Sequence, residues 1–274
     1  MSESGQFDRF LCLHFACSYG VVYFTQSMLR DLDNTDYNGK RVLISGSGNV
    51  AQYAALKVIE LGGTVLSLSD STGSLIAGDA GFTPEDVQAI GDIKLKRQPL
   101  TAFSEGKSNF TWHAGKRPWT LVEKADVALP CATQNEVNKA EAEALIKAGV
   151  RYVAEGSNMG SENDAIEVFE ASRANAKSLS DAGVCWYAPG KAANLGGVAV
   201  SALEMAQNSS RDKWTFETLD QKLKDIMSNC YDACHSTGKE YSKNGSVLPS
   251  LQAGANVAGF KMVADAMKDQ GDWW

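Results

Sequence analysis

A glycine-rich turn is the segment of this sequence best suited to bind a nucleotide. Residues 46–51 read G-x-G-x-x-A, after a β-branched run at residues 41–46 and before a helical pattern at residues 49–61. Such a turn brings a pyrophosphate against the N-terminus of a helix, where free N–H groups and the helix dipole favour an anion. The pattern predicts a dinucleotide site whose contacts are Gly46, Gly48, Asn49 and Val50.

An acidic residue stands where dinucleotide-binding folds meet the adenosine ribose. Asp70 ends the next predicted strand, residues 64–70, and lies 22 residues after Gly48. Alone, the carboxylate favours NAD, because it accepts a hydrogen bond from the ribose 2′-OH and repels a 2′-phosphate.

The neighbours of Asp70 oppose that simple interpretation. Ser69 and Ser71 offer hydroxyl donors, and Lys94 and Arg97 offer cations that pair well with a phosphate. The same cations are also typical of a solvated basic turn. The residues alone therefore leave NAD and NADP open.

Polar side chains follow two further predicted strands, residues 126–130 and 151–155. Open α/β sheets bind ligands at the carboxyl ends of their strands, so these side chains are candidate ligand contacts, with plain turns as the alternative. They are Thr133, Gln134 and Asn135 after the first strand, and Asn158 after the second.

The segment around residues 192–208 reads as a helix that begins near a polar residue and two glycines. Asn194 is either a ligand contact or a helix cap. Gly196 and Gly197 permit close approach of a ligand or tight packing. Val198 and Ser201 lie three residues apart on one helix face, where they contact a substrate or pack in the core.

The elements that position these residues alternate between strand and helix. Strands at residues 41–46, 64–70, 126–130, 151–155 and 184–187 are separated by helical patterns, two of which open with the caps Thr83-Pro84 and Asn138-x-x-Glu141. Ser161-x-x-Asp164 predicts a third helix start. The alternation predicts an α/β fold, a Rossmann-like doubly wound and mostly parallel sheet joined by right-handed crossovers.

The C-terminal part of the chain changes character. Residues 215–242 and 248–268 predict two long helices with no following strand, and residues 103–120 predict an irregular excursion or hairpin. We therefore expect an atypical leader at residues 1–17, a dinucleotide-binding domain at 18–208 and a helical segment at 209–274.

Composition narrows the function classes. The net charge of −7 argues against nucleic acid, and no apolar run is long enough to predict a membrane span. Six scattered cysteines in 274 residues do not resemble a disulfide framework, which favours a reducing cytoplasm. The Cys230-x-x-x-Cys234-His235 cluster is better explained by thiols on one helix face than by a metal site.

Three more segments carry a family resemblance: LPCATQNE at residues 129–136, AEGSNM at 154–159 and APGKAANLGGVAVSALEMAQ at 188–207. Together with residues 39–70 they resemble the hexameric glutamate dehydrogenases, most closely the microbial NADP-dependent type. The resemblance implies an oxidoreductase that interconverts L-glutamate with 2-oxoglutarate and ammonia using NADP(H), and a homo-hexamer for the full-length family.

The resemblance also implies roles for individual residues. It places Ser69, Asp70, Ser71, Lys94 and Arg97 at the adenosine 2′-phosphate, and Ala132, Thr133, Gln134, Asn158 and Asn194 along the ribose and nicotinamide. It places Val198 and Ser201 against the glutamate side chain.

The same resemblance begins only near Ser18, where Cys17-Ser18-Tyr19-Gly20 stands in place of the family's Thr-Gly-Tyr-Gly. In the family, a preceding domain supplies the substrate α-carboxylate site and the catalytic lysine and aspartate. We therefore expect a partial chain with no catalytic residue of its own and very low activity alone. The alternatives are an inactive NADP-binding or oligomer-modulating fragment, and a related dehydrogenase for leucine, valine or phenylalanine.

Overall fold

The computed structural model describes residues 4–212, 214–241 and 246–271, with side chains described from Ser18 onward. In this described part, seven strands form one sheet in the order β4-β3-β2-β1-β5-β6-β7. Strands β2, β1, β5, β6 and β7 run parallel, whereas β3 and β4 pair antiparallel at one edge. The strands are β1 Arg41–Ile44, β2 Thr64–Asp70, β3 Gly73–Ala77, β4 Phe110–Ala114, β5 Val127–Leu129, β6 Tyr152–Ala154 and β7 Trp186–Ala188.

Helices cover both faces of this sheet, so the predicted doubly wound α/β class is confirmed. Successive residues of β1 point to opposite faces: Val42 and Ile44 join one buried core, and Leu43 joins the other. The described helices are α1 Ser4–Asp33, α2 Asn49–Glu60, α3 Pro84–Leu95, α4 Thr101–Ser104, α5 Lys139–Lys147, α6 Asn163–Ala174, α7 Gly190–Ala193, α8 Gly196–Ser210, α9 Phe216–Glu240 and α10 Leu251–Asp269.

The N-terminal region is helical as far as it is described. The backbone of residues 4–17 belongs to α1, which continues without a break to Asp33. The side chains of the predicted leader, residues 1–17, lie outside the described residues. The leader's separate status therefore stays a prediction.

Two of the three predicted helix starts are confirmed. Thr83 and Asp86 form a capping box with Pro84 at the first helical position, and Asn138 and Glu141 form another. The third, at Ser161, is wrong. Its N–H donates to the buried Glu155 carboxylate at 2.7 Å, and Ser161 forms an isolated parallel bridge with Val137, so α6 begins only at Asn163.

Strands β3 and β4 were not predicted as members of the sheet. Residues 103–120, expected to form an irregular excursion or hairpin, instead contain the end of α4, strand β4 and a 3-10 helix at Pro118–Thr120. Strand β4 lies at the sheet edge and is half-exposed, so its residues show no continuous apolar run. The tight turn after Asp70 then folds β3 back on β2.

The C-terminal segment is helical where it is described, and no strand follows Ala188 there, as predicted. The helix expected at residues 192–208 is instead two helices, α7 and α8, separated at Asn194 and Leu195. The C-terminal half of α10 leaves Phe260, Met262 and Val263 exposed. Among the described residues, no helix combines the length and apolar character needed to cross a bilayer.

Candidate functional site

The glycine turn lies at the point where the sheet changes direction. The chain proceeds from β1 to β2 on one side and later returns to β5 on the other side of β1. Crevices at such switch points, outside the carboxyl ends of the strands, are the ligand sites of open α/β sheets. The turn from Gly46 to Gly48 therefore opens into the expected binding crevice.

Glycine suits positions 46 and 48 of the turn for different physical reasons. Gly46 has φ +86°, and a Cβ there would lie 2.9 Å from the carbonyl oxygen of Cys131. Gly48 has an ordinary φ of −81°, and a Cβ there would meet nothing within 4 Å. Gly46 is thus required by the fold, whereas Gly48 faces open space that a ligand can enter.

The N-terminus of α2 is suited to an anion. Its N-cap residue is Gly48, which has no side chain to accept from the first N–H groups. Those groups, in the turn that includes Asn49 and Val50, face the crevice with the positive end of the helix dipole. Ser18 of α1 donates to the Asn49 carbonyl at 3.5 Å and so lies next to the same turn.

Asp70 is already engaged by the protein. Its Oδ1 accepts from the Thr72 N–H at 2.8 Å and the Thr72 hydroxyl at 2.6 Å, and its Oδ2 accepts from the Leu100 N–H at 3.0 Å. Burial raises the pKa of this carboxyl, but the hydrogen bonds from Thr72 and Leu100, with the charge of Lys94, hold the pKa below its usual range. Asp70 therefore stays ionised and fixes the β2–β3 turn.

The residues predicted for the adenosine end fall into two groups. Ser69 is buried, and its hydroxyl oxygen accepts the Gly46 N–H at 2.8 Å, so it supports the glycine turn from behind. Ser71 is exposed, Lys94 lies half-exposed at 3.7 Å from Asp70, and Arg97 is exposed just beyond α3. The surface residues Ser71, Lys94 and Arg97 are available to a ligand.

The predicted residues on the other side of β1 are also at the surface. Ala132, Thr133 and Gln134 are exposed after β5, and Asn158 is exposed after β6. The amide of Asn194 donates to Asn158 Oδ1 at 2.7 Å, so the structure joins these two predicted contacts directly. Asn194 lies between α7 and α8 and is not the N-cap of α8, which is Leu195.

The helix face predicted to contact substrate is open. Val198 is 71% exposed and Ser201 is half-buried, so core packing does not explain Val198. Gly196 has a packing role, because a Cβ on Gly20 of α1 would lie 3.0 Å from the Gly196 Cα. The close contact of α1 with α8 therefore fixes the start of the helix that carries Val198.

Two buried carboxylates behind the crevice were not predicted as site residues. Glu155 accepts from the Ser161 and Gly190 N–H groups at 2.7 and 2.9 Å, and Glu136 accepts from the Ala132 and Thr133 N–H groups at 3.0 and 3.3 Å. The available signal was an acidic residue at, or shortly after, the end of an apolar strand pattern. Both carboxylates shape the loops that carry the predicted contacts.

Comparison with known proteins identifies the family. A model of the family described as Glutamate/Leucine/Phenylalanine/Valine dehydrogenase matches residues 13–271. The protein belongs to this dehydrogenase family. Within the family, the NADP-specific glutamate dehydrogenase of Botryotinia fuckeliana is 60% identical over 262 residues, and NADP-specific glutamate dehydrogenase 1 of Saccharomyces cerevisiae is 57% identical over 266 residues.

These alignments cover 94% of this chain but only 57% and 58% of those two relatives. The chain thus spans somewhat more than half the length of the curated dehydrogenases it matches.

Solved structures agree with the family and the fold. Glutamate dehydrogenase 2 of Plasmodium falciparum matches with a TM-score of 0.85 and 40% identity, over 95% of this chain and 53% of that one. A hetero-hexameric glutamate dehydrogenase from Thermus thermophilus matches with a TM-score of 0.72 at 18% identity, a likeness that shows the fold alone.

Proposed function

We propose that this protein is a dehydrogenase unit of glutamate dehydrogenase type that binds NADP(H) and acts in the interconversion of L-glutamate with 2-oxoglutarate and ammonia. The observation that carries the proposal is the glycine turn at the switch point, with open space at Gly48 and a helix N-terminus behind it. Relatives named NADP-specific glutamate dehydrogenase, at 57–60% identity over most of this chain, support the same function.

The surroundings of Asp70 support NADP over NAD. Both carboxylate oxygens already accept hydrogen bonds from Thr72 and Leu100, so Asp70 has little capacity left for a ribose 2′-OH. Lys94 compensates the negative charge at 3.7 Å, which reduces the repulsion of a 2′-phosphate. Ser71, Lys94 and Arg97 then supply donors and positive charge for that phosphate.

The remaining roles divide between orientation and substrate contact. A bound nicotinamide cofactor supplies the hydride chemistry, and the protein supplies orientation. The amides of Asn158 and Asn194, which hold one another, and the loop at Ala132, Thr133 and Gln134 orient the ribose and nicotinamide. Acid–base chemistry at the amine is assigned to none of these residues.

The exposed face of α8 is proposed to meet the substrate side chain. Val198 offers apolar contact, and the Ser201 hydroxyl can donate to a side-chain carboxylate. A hydroxyl at this position suits glutamate better than leucine, valine or phenylalanine. We further propose a cytoplasmic homo-oligomer, a hexamer in the full-length family.

Calorimetric titration of the purified protein with NADPH, and separately with NADH, tests the proposed cofactor. We expect micromolar binding of NADPH and binding of NADH at least about tenfold weaker, because one charge-assisted phosphate pair contributes roughly 1.5–3 kcal/mol. Equal or stronger binding of NADH would restore Asp70 as a ribose-binding group. Absence of binding to either dinucleotide would contradict the proposal.

Substitution of Lys94 tests whether this lysine binds the 2′-phosphate of NADPH. In Lys94→Ala we expect NADPH affinity to fall by about fivefold to twentyfold, since a cation beside the phosphate is lost, while NADH affinity changes less than about twofold. Lys96→Ala is the matched control, because Lys96 is a lysine at the surface two residues along the same segment. Equal effects of the two substitutions on NADPH affinity would show that general surface charge, and not Lys94, attracts the cofactor.

A further inference from the structure

A single buried carboxylate connects the ends of three parallel strands beneath the crevice. The Oε1 atom of Glu136 accepts from the N–H groups of Ala132 and Thr133, which follow β5. It also lies 3.4 Å from the hydroxyl of Ser157, which follows β6. The Ser45 hydroxyl, which follows β1 and directly precedes Gly46, is a further hydrogen-bond donor to this carboxylate.

The polarity of this network suits a carboxylate, which offers two acceptor oxygens and no donor. Ser45 Oγ accepts the Cys131 N–H at 2.9 Å, which leaves the Ser45 proton to donate to Glu136. The backbone N–H groups of Ala132 and Thr133 are donors only. The single Ser157 hydroxyl proton is shared between the Thr133 carbonyl oxygen at 3.2 Å and Glu136 Oε1 at 3.4 Å. Donors therefore surround the carboxylate, an acceptor-only group when ionised.

We propose that Glu136 is a positioning residue that holds the loop of residues 132–134 in the conformation required by the nicotinamide half of the dinucleotide. The inference rests on the proposed function and deepens it, because it names which half of the ligand depends on this carboxylate.

The sheet order determines which half that is. The pyrophosphate belongs at the glycine turn after β1, and the adenosine end belongs over β2, near Asp70 and Lys94. Strand β5 is the neighbour of β1 on the opposite side. The rest of the ligand must therefore cross toward the loop that Glu136 holds.

The energetics of the Glu136 carboxylate fit a role in function better than a role in stability. Burial raises the pKa of Glu136, and the hydrogen bonds from Ser45, Ala132, Thr133 and Ser157 only partly compensate. The folded protein therefore disfavours the ionised form of this carboxylate relative to the unfolded chain. Retaining such a group is typical of a site in which geometry matters more than stability.

Glu136→Gln tests the proposal through two ligands. We expect the Kd for NADPH to rise about tenfold, since Gln replaces one of the two acceptor oxygens of the carboxylate with an NH2 donor beside a cluster of donors. The Kd for adenosine 2′,5′-bisphosphate, which lacks the nicotinamide half, is expected to stay within about twofold of the parent value. The charge control is Glu143→Gln, an exposed glutamate on nearby α5, which should change neither affinity.

The outcomes distinguish this role from general support of the fold. An unchanged Kd for NADPH, or equal weakening of both ligands, would overturn the proposal. If the parent protein binds neither ligand, the proposed function fails, and the assignment to the nicotinamide half fails with it. Hydrogen exchange then tests the structural part alone: faster exchange confined to residues 131–136 in Glu136→Gln would show that Glu136 holds this loop, and unchanged exchange would show that it does not.

A second variant covers the case in which Glu136→Gln does not fold. Ser157→Ala keeps the charge of Glu136 and removes the hydroxyl that bridges its carboxylate and the Thr133 carbonyl oxygen. We expect an increase of about twofold to fivefold in the Kd for NADPH and no change for adenosine 2′,5′-bisphosphate. A Ser157→Ala protein with unaltered affinity for NADPH would contradict the proposed network.

Discussion

Gly46→Ala is expected to abolish measurable dinucleotide binding and to destabilise the protein. A non-glycine residue at φ +86° costs about 1–3 kcal/mol, and the new Cβ would lie 2.9 Å from the Cys131 carbonyl oxygen and 3.2 Å from the Ala132 Cα. Relief of these contacts moves the glycine turn away from β5, which opens the crevice on the side where the nicotinamide half is proposed to bind. Thermal unfolding and calorimetric titration measure the two effects.

Substitutions of two other glycines separate the loss of dinucleotide binding from the loss of stability. Gly48→Ala keeps an allowed backbone, because Gly48 has φ −81°, and its Cβ enters empty space. We therefore expect unchanged stability but dinucleotide affinity reduced by at least about tenfold, since the methyl group occupies the place of the pyrophosphate.

Gly39→Ala provides the opposite control. Gly39 has φ +72°, a Cβ added there would meet nothing within 4 Å, and the residue lies outside the crevice, before β1. The variant should lose about 1–2 kcal/mol of stability and keep full affinity. A Gly46→Ala protein that binds NADPH as the parent does would show that the turn does not hold the pyrophosphate.

The sequence predicted the crevice because its signals are local. The position of the glycine turn, the helix that follows it and the strand that ends at Asp70 are each set by neighbouring residues. The same holds for the capping boxes at Thr83 and Asn138. Steric restriction and hydrogen bonding within a few residues decide these features, so they can be inferred without knowledge of the sheet order.

The engagement of Asp70 could not be predicted in this way. Its carboxylate accepts from Leu100, 30 residues away, and that contact exists only because the chain after α3 returns to the end of β2. Glu136 likewise acquires its role from Ser45 and Ser157, on strand ends that the sheet order brings together. Charge state and ligand preference at this site therefore depend on tertiary contacts.

The missed strands β3 and β4 have a related cause. No residue of the edge strand β4 is fully buried, so its burial pattern shows no clear alternation. Strand β3 is folded back on β2 by the turn that Asp70 fixes through Thr72, and β4 pairs with β3 only after the connection of residues 78–109. Strands placed by such connections give little periodic signal of their own.

The crossing of α9 and α10 yields the prediction with the largest effect on stability. A Cβ on Gly254 of α10 would lie 1.9 Å from the Cys234 carbonyl oxygen and 2.9 Å from the Gly238 backbone nitrogen. A Cβ on Gly238 would in turn lie 2.5 Å from the Ser250 carbonyl oxygen. The two backbones therefore touch at this crossing, and no side chain fits between them.

Gly254→Ala is expected to lower the free energy of unfolding by about 3 kcal/mol, because the helices must separate and lose the packing of the buried Leu251. This corresponds to a Tm lower by roughly 6–12 °C for a chain of this size.

Gly259→Ala is the matched control on the same helix. A Cβ at Gly259 would meet nothing within 4 Å, so the gain in helix propensity should stabilise the protein by about 0.5–1 kcal/mol. If the two backbones are in contact at this crossing, urea and thermal unfolding should show a loss of stability for Gly254→Ala and a gain for Gly259→Ala. A Gly254→Ala protein as stable as its parent would show that α10 does not pack on α9 at this point.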